Sequence, residues 1–332
     1  MPVRASIARV SIISAGLLFI SACSQNASND VGLYAQASNQ LTSQLGEMMQ
    51  ETKTLQTKRA TNTLALELER PSTLLTSDRL TQQAKTYADI TQQQFALYAL
   101  NRSLQDYSQA LSELADAKYR GDIDYAAAKL SGSLISANKQ YQALTDTPLL
   151  DASDDTFHIL SSAIAGIGAT VAESQRRKAL KDIIIKADPT ISTICDTISQ
   201  RLSSGRLYAA LLSERRDMLS TDIRRFNIMK TQGKLSHEAV IAQIESLTQR
   251  SVDIASTALI FKQMAKATQT LKEKHHAITG LVANNEFSGK AFIRIAGELS
   301  ETGRHYSSLN NLLGSCETGF ELREDQLVCK EG

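Results

Sequence analysis

Residues Leu97–Leu114 read LYALNRSLQDYSQALSEL, and their spacing decides the fold class. Leu97, Leu100, Leu104, Tyr107, Leu111 and Leu114 recur at intervals of three and four, which places them along one side of an α-helix as a heptad seam. Ile90 carries the same line one repeat towards the N-terminus. A half-buried strand would alternate apolar and polar residues, and this stretch does not. The seam predicts a helix over about 77–119, with Ser77-Asp78 offering capping oxygens at its start.

Working outward, the same grammar repeats. Before this helix, about Val31 to Glu69 is polar but helix-prone, with Leu41, Met48 and Leu55 seven apart, and Pro71-Ser72 interrupts it. After it, Arg120-Gly121-Asp122 reads as a turn and a third helix runs to about Leu144. Thr145 to Asp155 (TDTPLLDASDD) is the longest candidate linker. A fourth helix is expected over about 154–186, ended by Asp188-Pro189, because proline removes a hydrogen bond and clashes with the preceding turn. A fifth, about 190–231, aligns Ile191, Ile194, Ile198, Leu202, Leu212, Leu219, Ile223 and Phe226. Gly233 stops it, and Ser236 starts a sixth with a seam through Val240, Ile244, Leu247, Ile254, Ala258, Phe261 and Ala265. A last helix, about 290–313, carries Phe292, Ile295, Leu299 and Leu309. Only 4 prolines in 332 residues suit this pattern. Apolar stripes of this length need partners. The expectation is all-α: an elongated antiparallel bundle of six or seven helices over 31–313, with a possible subdivision near 145–155.

The N-terminus speaks about location. Arg4 and Arg9 precede an uncharged run, Val10 to Ala22, of about 13 residues, short of the roughly 20 that span a bilayer but suited to a signal-peptide core. The run closes on Ile20-Ser21-Ala22-Cys23, which resembles the lipobox of bacterial lipoprotein precursors. The resemblance covers about 20 residues. It implies removal of residues 1–22, a covalent lipid on Cys23 with palmitate among its acyl chains, and residues 23–30 as an acylated polar tether. In Gram-negative lipoproteins aspartate after the cysteine commonly causes inner-membrane retention, so Ser24 implies sorting to the outer membrane, the body facing the periplasm. Three acyl chains hold a protein far more firmly than one, which gives only marginal binding.

Composition bounds the rest. Without Arg4 and Arg9, 34 Lys+Arg face 35 Asp+Glu, which lacks the basic excess of a nucleic-acid binder. The absence of tryptophan and 5% aromatics are low for a sugar- or aromatic-binding protein. Of four cysteines, Cys316 and Cys329 lie close together near the C-terminus of an exported chain, so a disulfide closing a small hairpin over 314–332 is expected. Such a loop contributes about 3 kcal/mol in the chain-entropy model. Cys195 is left over on the fifth helix, and is read as a buried, inert thiol.

Chemistry is sparse. His158 follows Asp154 by four residues and His305 follows Glu301 by four, while His237, His275 and His276 stand apart. No HExxH or paired Cys-x-x-Cys is present, so no metal and no cofactor beyond the lipid are expected. The apolar run Phe157–Ala172 (FHILSSAIAGIGATVA) reads as a buried central helix, or alternatively as a membrane-active tip of the kind helical pore formers carry. The basic pairs Arg176-Arg177, Arg215-Arg216 and Arg224-Arg225 are interleaved with Glu173, Glu214, Asp217 and Asp222 and read as solvated, salt-bridged faces, with anionic headgroups or an acidic partner as the other possibility. Six tyrosines between Tyr87 and Tyr141 are expected in the core. The functional expectation is a non-enzymatic lipoprotein, held to the bilayer by its acyl anchor and binding another envelope protein. A membrane-active protein and an envelope hydrolase with a site assembled from distant residues are the alternatives.

Overall fold

The computed structural model describes residues 28–68, 74–146, 148, 173–204, 206–287, 289–315, 320–323 and 326–329. The signal peptide, Cys23, Ser24, most of the 145–155 linker, the run Phe157–Ala172, His158 and Cys316 lie outside them. The described residues form seven long helices: α1 (Ser28–Leu68), α2 (Ser77–Asp116), α3 (Arg120–Thr145), α4 (Glu173–Ser203), α5 (Arg206–Thr231), α6 (His237–Ala283) and α7 (Lys290–Ser315). Two four-residue strands follow, β1 (Phe320–Arg323) and β2 (Gln326–Cys329), paired antiparallel with Phe320 opposite Cys329.

The α2 seam does what its spacing demands. Leu97, Leu100, Leu104, Tyr107, Leu111 and Leu114 are all buried. They join Val31, Tyr34, Leu41 and Leu45 of α1, Ala126 and Leu130 of α3, and the buried lines of α4, α6 and α7 in one contiguous cluster. That cluster draws on residues from both sides of the 145–155 segment. α1 packs against α2 and α7, α2 against α3 and α4, and α4 against α6. At about 25 cal/mol per Å², burial of these stripes holds the helices together, since an isolated stripe would stay in water.

Cross-helix polar contacts fix the register. Asn101 Nδ2 of α2 donates to the Thr42 carbonyl of α1 at 2.7 Å, and Ser133 Oγ of α3 donates to the Ser103 carbonyl of α2 at 2.8 Å. Lys272 of α6 pairs with Asp196 of α4 at 2.6 Å, and Lys274 pairs with Glu298 of α7. The starts of α2 and α6 are capped by Thr76, whose side chain accepts from Arg79 N–H at 3.3 Å, and by Ser236, which accepts from Ala239 N–H at 3.2 Å. The cap of α2 thus falls on Thr76, one residue before the expected Ser77-Asp78. At α3 the Asp122 carboxylate reaches back to the N–H groups of Lys118 and Tyr119, so Arg120-Gly121-Asp122 is the first turn of that helix and not a separate turn.

Three expectations are corrected. Asp188-Pro189 does not end a helix: α4 passes through Pro189, and the interruption falls at 204–205, between α4 and α5. An internal proline costs about 3 kcal/mol. Ile183, Ile184, Ala187, Ile191, Ile194 and Ile198 are buried on both sides of it, and at roughly 1.5–3 kcal/mol for each isoleucine the burial outweighs that cost. Second, the apolar lines of the fifth and sixth predicted helices partly leave the core: Ile223 and Ile244 are exposed, whereas Phe261 and Ala265 are buried. The distal half of α5 and the first half of α6 pair with each other, tied by Arg250 and Asp222, and bury much less. Third, Tyr107 is buried but Tyr119 and Tyr125 are exposed, because they stand at the α2–α3 junction where the seam has ended.

Candidate functional site

The polar residues that the fold brings together lie on facing seams. On α6, Leu271, His275, Ile278 and Val282 are buried at spacings of four, three and four. On α4, Ile184, Ile191, Cys195 and Ile198 are buried on the line that also carries Asp188. A histidine and an aspartate therefore replace aliphatic residues at one level of the core, and α2 adds Tyr107 at the same level.

Their geometry is a chain of hydrogen bonds. Tyr107 Oη lies 2.8 Å from His275 Nε2, His275 Nδ1 lies 2.8 Å from Asp188 Oδ1, and His276 Nδ1 lies 2.9 Å from Asp188 Oδ2. The His275 ring is 1% exposed and that of His276 is 80% exposed, so the chain runs from the core to the surface within four side chains. The Tyr34 and Tyr107 rings stand tilted against His275, with centroids 6.3 and 5.5 Å away. An ionised carboxylate only accepts, so His275 donates from Nδ1 to Asp188, and with a neutral ring its Nε2 accepts the Tyr107 hydroxyl. That tautomer satisfies every member.

The electrostatics follow. The hydrogen bond from His275 holds the Asp188 carboxyl down at about 2, opposed by partial burial and reinforced by His276. Burial pushes the Tyr107 hydroxyl well above its ordinary range, with Tyr34 and Asp188 adding to the effect. Burial likewise pushes up the Cys195 thiol, which is 0% exposed. A deprotonated tyrosine or cysteine nucleophile has no support here, and neither of the two surface grooves described below reaches these side chains. The network ties α2, α4 and α6 together at one level.

The first groove lies between α6 and α7, where Lys266, Glu298, Glu301 and His305 line it. Glu301 and His305 do share a side of α7, as their spacing requires. The second lies beside the α6–α7 turn and is lined by Glu173, Arg177, Lys178, Lys181, Asp182 and Phe287 among others. Arg176 corrects the reading of the basic pairs. It is buried, its guanidinium donates from Nε and Nη2 to the Ala117 carbonyl at the end of α2, and Nη1 meets Glu173 at 2.7 Å. It is a C-terminal cap for α2. Arg177 pairs with Glu173 at 3.1 Å and lies over the Phe287 ring at 6.0 Å. Arg224 and Arg225 are exposed, as a solvated face requires.

Cys195 is buried, in keeping with the inert reading, and Cys329 closes β2. His237 opens α6 on the surface. No group of three or more His, Cys, Asp or Glu able to hold a metal occurs among the described residues. Sequence reasoning placed Tyr107 in the core but missed its network with Asp188 and His275, which stand on the buried lines of α4 and α6. No family model matches this chain, and neither a curated protein nor a solved structure is similar to it.

Proposed function

We propose that the chain is a lipid-anchored protein of the bacterial envelope, outer-membrane and periplasm-facing, whose elongated antiparallel helical body binds another envelope protein and carries no catalysis of its own. The observation that carries this reading is the N-terminal sequence: Arg4 and Arg9, an uncharged run, then Ile20-Ser21-Ala22-Cys23 with Ser24 after it. No helix among the described residues is long and apolar enough to cross a membrane, and the reading needs none, because three acyl chains on one residue give stable attachment. The helices support a long binding surface. α6 alone has 47 residues, about 70 Å at 1.5 Å per residue. The Phe320–Cys329 pairing supports a C-terminal loop closed by Cys316–Cys329, since Cys316 precedes β1 by four residues.

Growth with radiolabelled palmitate tests the reading. Label on the wild-type chain and none on Cys23→Ala is expected, with the labelled chain in the outer-membrane fraction. An unlabelled wild-type chain sinks the anchor. In-cell crosslinking then addresses the partner: a reproducible envelope neighbour is expected, and its absence removes the binding role.

A further inference from the structure

The end of the body next to the tether is well defined by contacts between elements distant in sequence. Asp30 Oδ2, near the start of α1, accepts from the Gly289 N–H at 2.8 Å, across 259 residues. Gly289 has φ 116°, a conformation open to glycine, and this lets the turn present its N–H to the carboxylate. On the other flank of that turn, Lys181 Nζ of α4 donates to the Ala283 carbonyl at 2.9 Å and to Asn285 Oδ1 at 2.8 Å. The start of α1, the α6–α7 turn and the 173–182 stretch of α4 thus occupy one end.

Six residues, Ser24 to Asn29, lie between Cys23 and Asp30, a span of seven Cα steps. Whatever conformation they adopt, they reach at most about 25 Å. A lipid on Cys23 therefore keeps this end within about 25 Å of the bilayer surface.

At this end lies a groove of about 660 Å³ with three cations on its wall, Arg177, Lys178 and Lys181, against the two carboxylates Glu173 and Asp182. Glu173 also pairs with the buried Arg176, so with it four cations meet two carboxylates around the groove, an excess of positive charge. The stacked Arg177–Phe287 pair stiffens one side of it.

We propose that this groove receives the phosphate of an anionic phospholipid from the bilayer that holds Cys23, with Arg177, Lys178 and Lys181 supplying the charge. The inference rests on the lipid-anchored reading, which supplies the bilayer and its proximity. Docking there turns a flexible tether into a fixed stance. The acyl chains keep this end near the headgroups, and the groove sets how it is oriented against them.

The test uses the acylated chain reconstituted into vesicles of phosphatidylcholine alone or with phosphatidylglycerol, read by amide hydrogen exchange. Phosphatidylglycerol is expected to slow exchange in 173–182 and 283–289 at least about tenfold, each surface cation being worth about fivefold in binding. The triple variant Arg177→Gln/Lys178→Gln/Lys181→Gln should lose the slowing while exchange across Leu100–Leu114 is unchanged. The pair Lys262→Gln/Lys266→Gln, about 30 Å along α6 from the turn by helix rise, should keep it. If the triple variant fails to fold, the exposed Lys178→Gln alone should weaken the effect about fivefold. Slowing that is absent with phosphatidylglycerol, equally lost in the Lys262/Lys266 pair, or reproduced by inorganic phosphate on phosphatidylcholine vesicles overturns the proposal. Should palmitate labelling fail, the unacylated chain added to the same vesicles scores the groove separately. Protection there keeps the groove and discards only the anchor, and no protection discards the groove too.

Discussion

Tyr107 and His275, 168 positions apart in sequence, meet through a buried 2.8 Å hydrogen bond, and His275 passes on to Asp188 at 2.8 Å. A buried polar group that loses its partner costs about 1–3 kcal/mol. Tyr107→Phe leaves His275 Nε2 without its donor, and Asp188→Ala leaves Nδ1–H without its acceptor. Each is expected to lower unfolding stability in urea by about 1–3 kcal/mol. The double variant should fall short of the sum, because both act on one ring.

Acid dependence follows from Asp188. Its carboxyl titrates at about 2 in the folded chain, below the 3.8 of a free aspartate. A lowered folded value means that the stabilisation is fully present above about pH 4 and is lost as pH falls from about 4 towards 2. Urea midpoints measured across that window should drop in the wild type. In Asp188→Asn the drop should be smaller, with the starting stability already reduced.

Two helical glycines give opposite outcomes. A Cβ on Gly46 would stand 3.2 Å from Asn101 Nδ2, the group bonded to the Thr42 carbonyl. Gly46→Ala is expected to destabilise, since disturbing a buried hydrogen bond at about 1–3 kcal/mol exceeds the helix gain of roughly 0.5–1. Nothing lies within 4 Å of a Cβ on Gly132 in α3, so Gly132→Ala should stabilise by about 0.5–1 kcal/mol. Thermal melts of the two variants compare directly.

Thiol accounting tests three cysteine assignments together. Cys195 is buried and its thiol pushed up, so it should resist alkylation in the native chain and react on unfolding. With Cys23 acylated and Cys316 bonded to Cys329, mass spectrometry should find one alkylated site in the unfolded, unreduced chain and three after reduction. Three sites without reduction remove the disulfide.

Much of the fold was legible because burial and helical periodicity agree along the later half of α2, the proximal half of α1 and the later half of α6. The helix breaks were misread where two signals competed. Asp188-Pro189 carries the stronger local penalty, yet isoleucines on both flanks hold the helix through it, and the interruption falls instead between Ser203 and Arg206. The exposure of Ile223 and Ile244 was illegible for another reason: a seam states that a partner is needed, not how much area the partner covers. The histidine network was hidden because its four members come from three helices, and each taken alone reads as a breaker, a core aromatic or a surface residue.

α6 has one further consequence. It contains no proline, and Gly280 is its sole glycine, three residues from its end. The segment that flanks α5 and the segment that carries His275 are therefore one jointless spar. A load applied where α5 turns into α6 travels as bending and torque along it to the level of Tyr107 and Asp188, so the molecule answers a tug at its tip by straining a buried network eight residues from the far end of that spar.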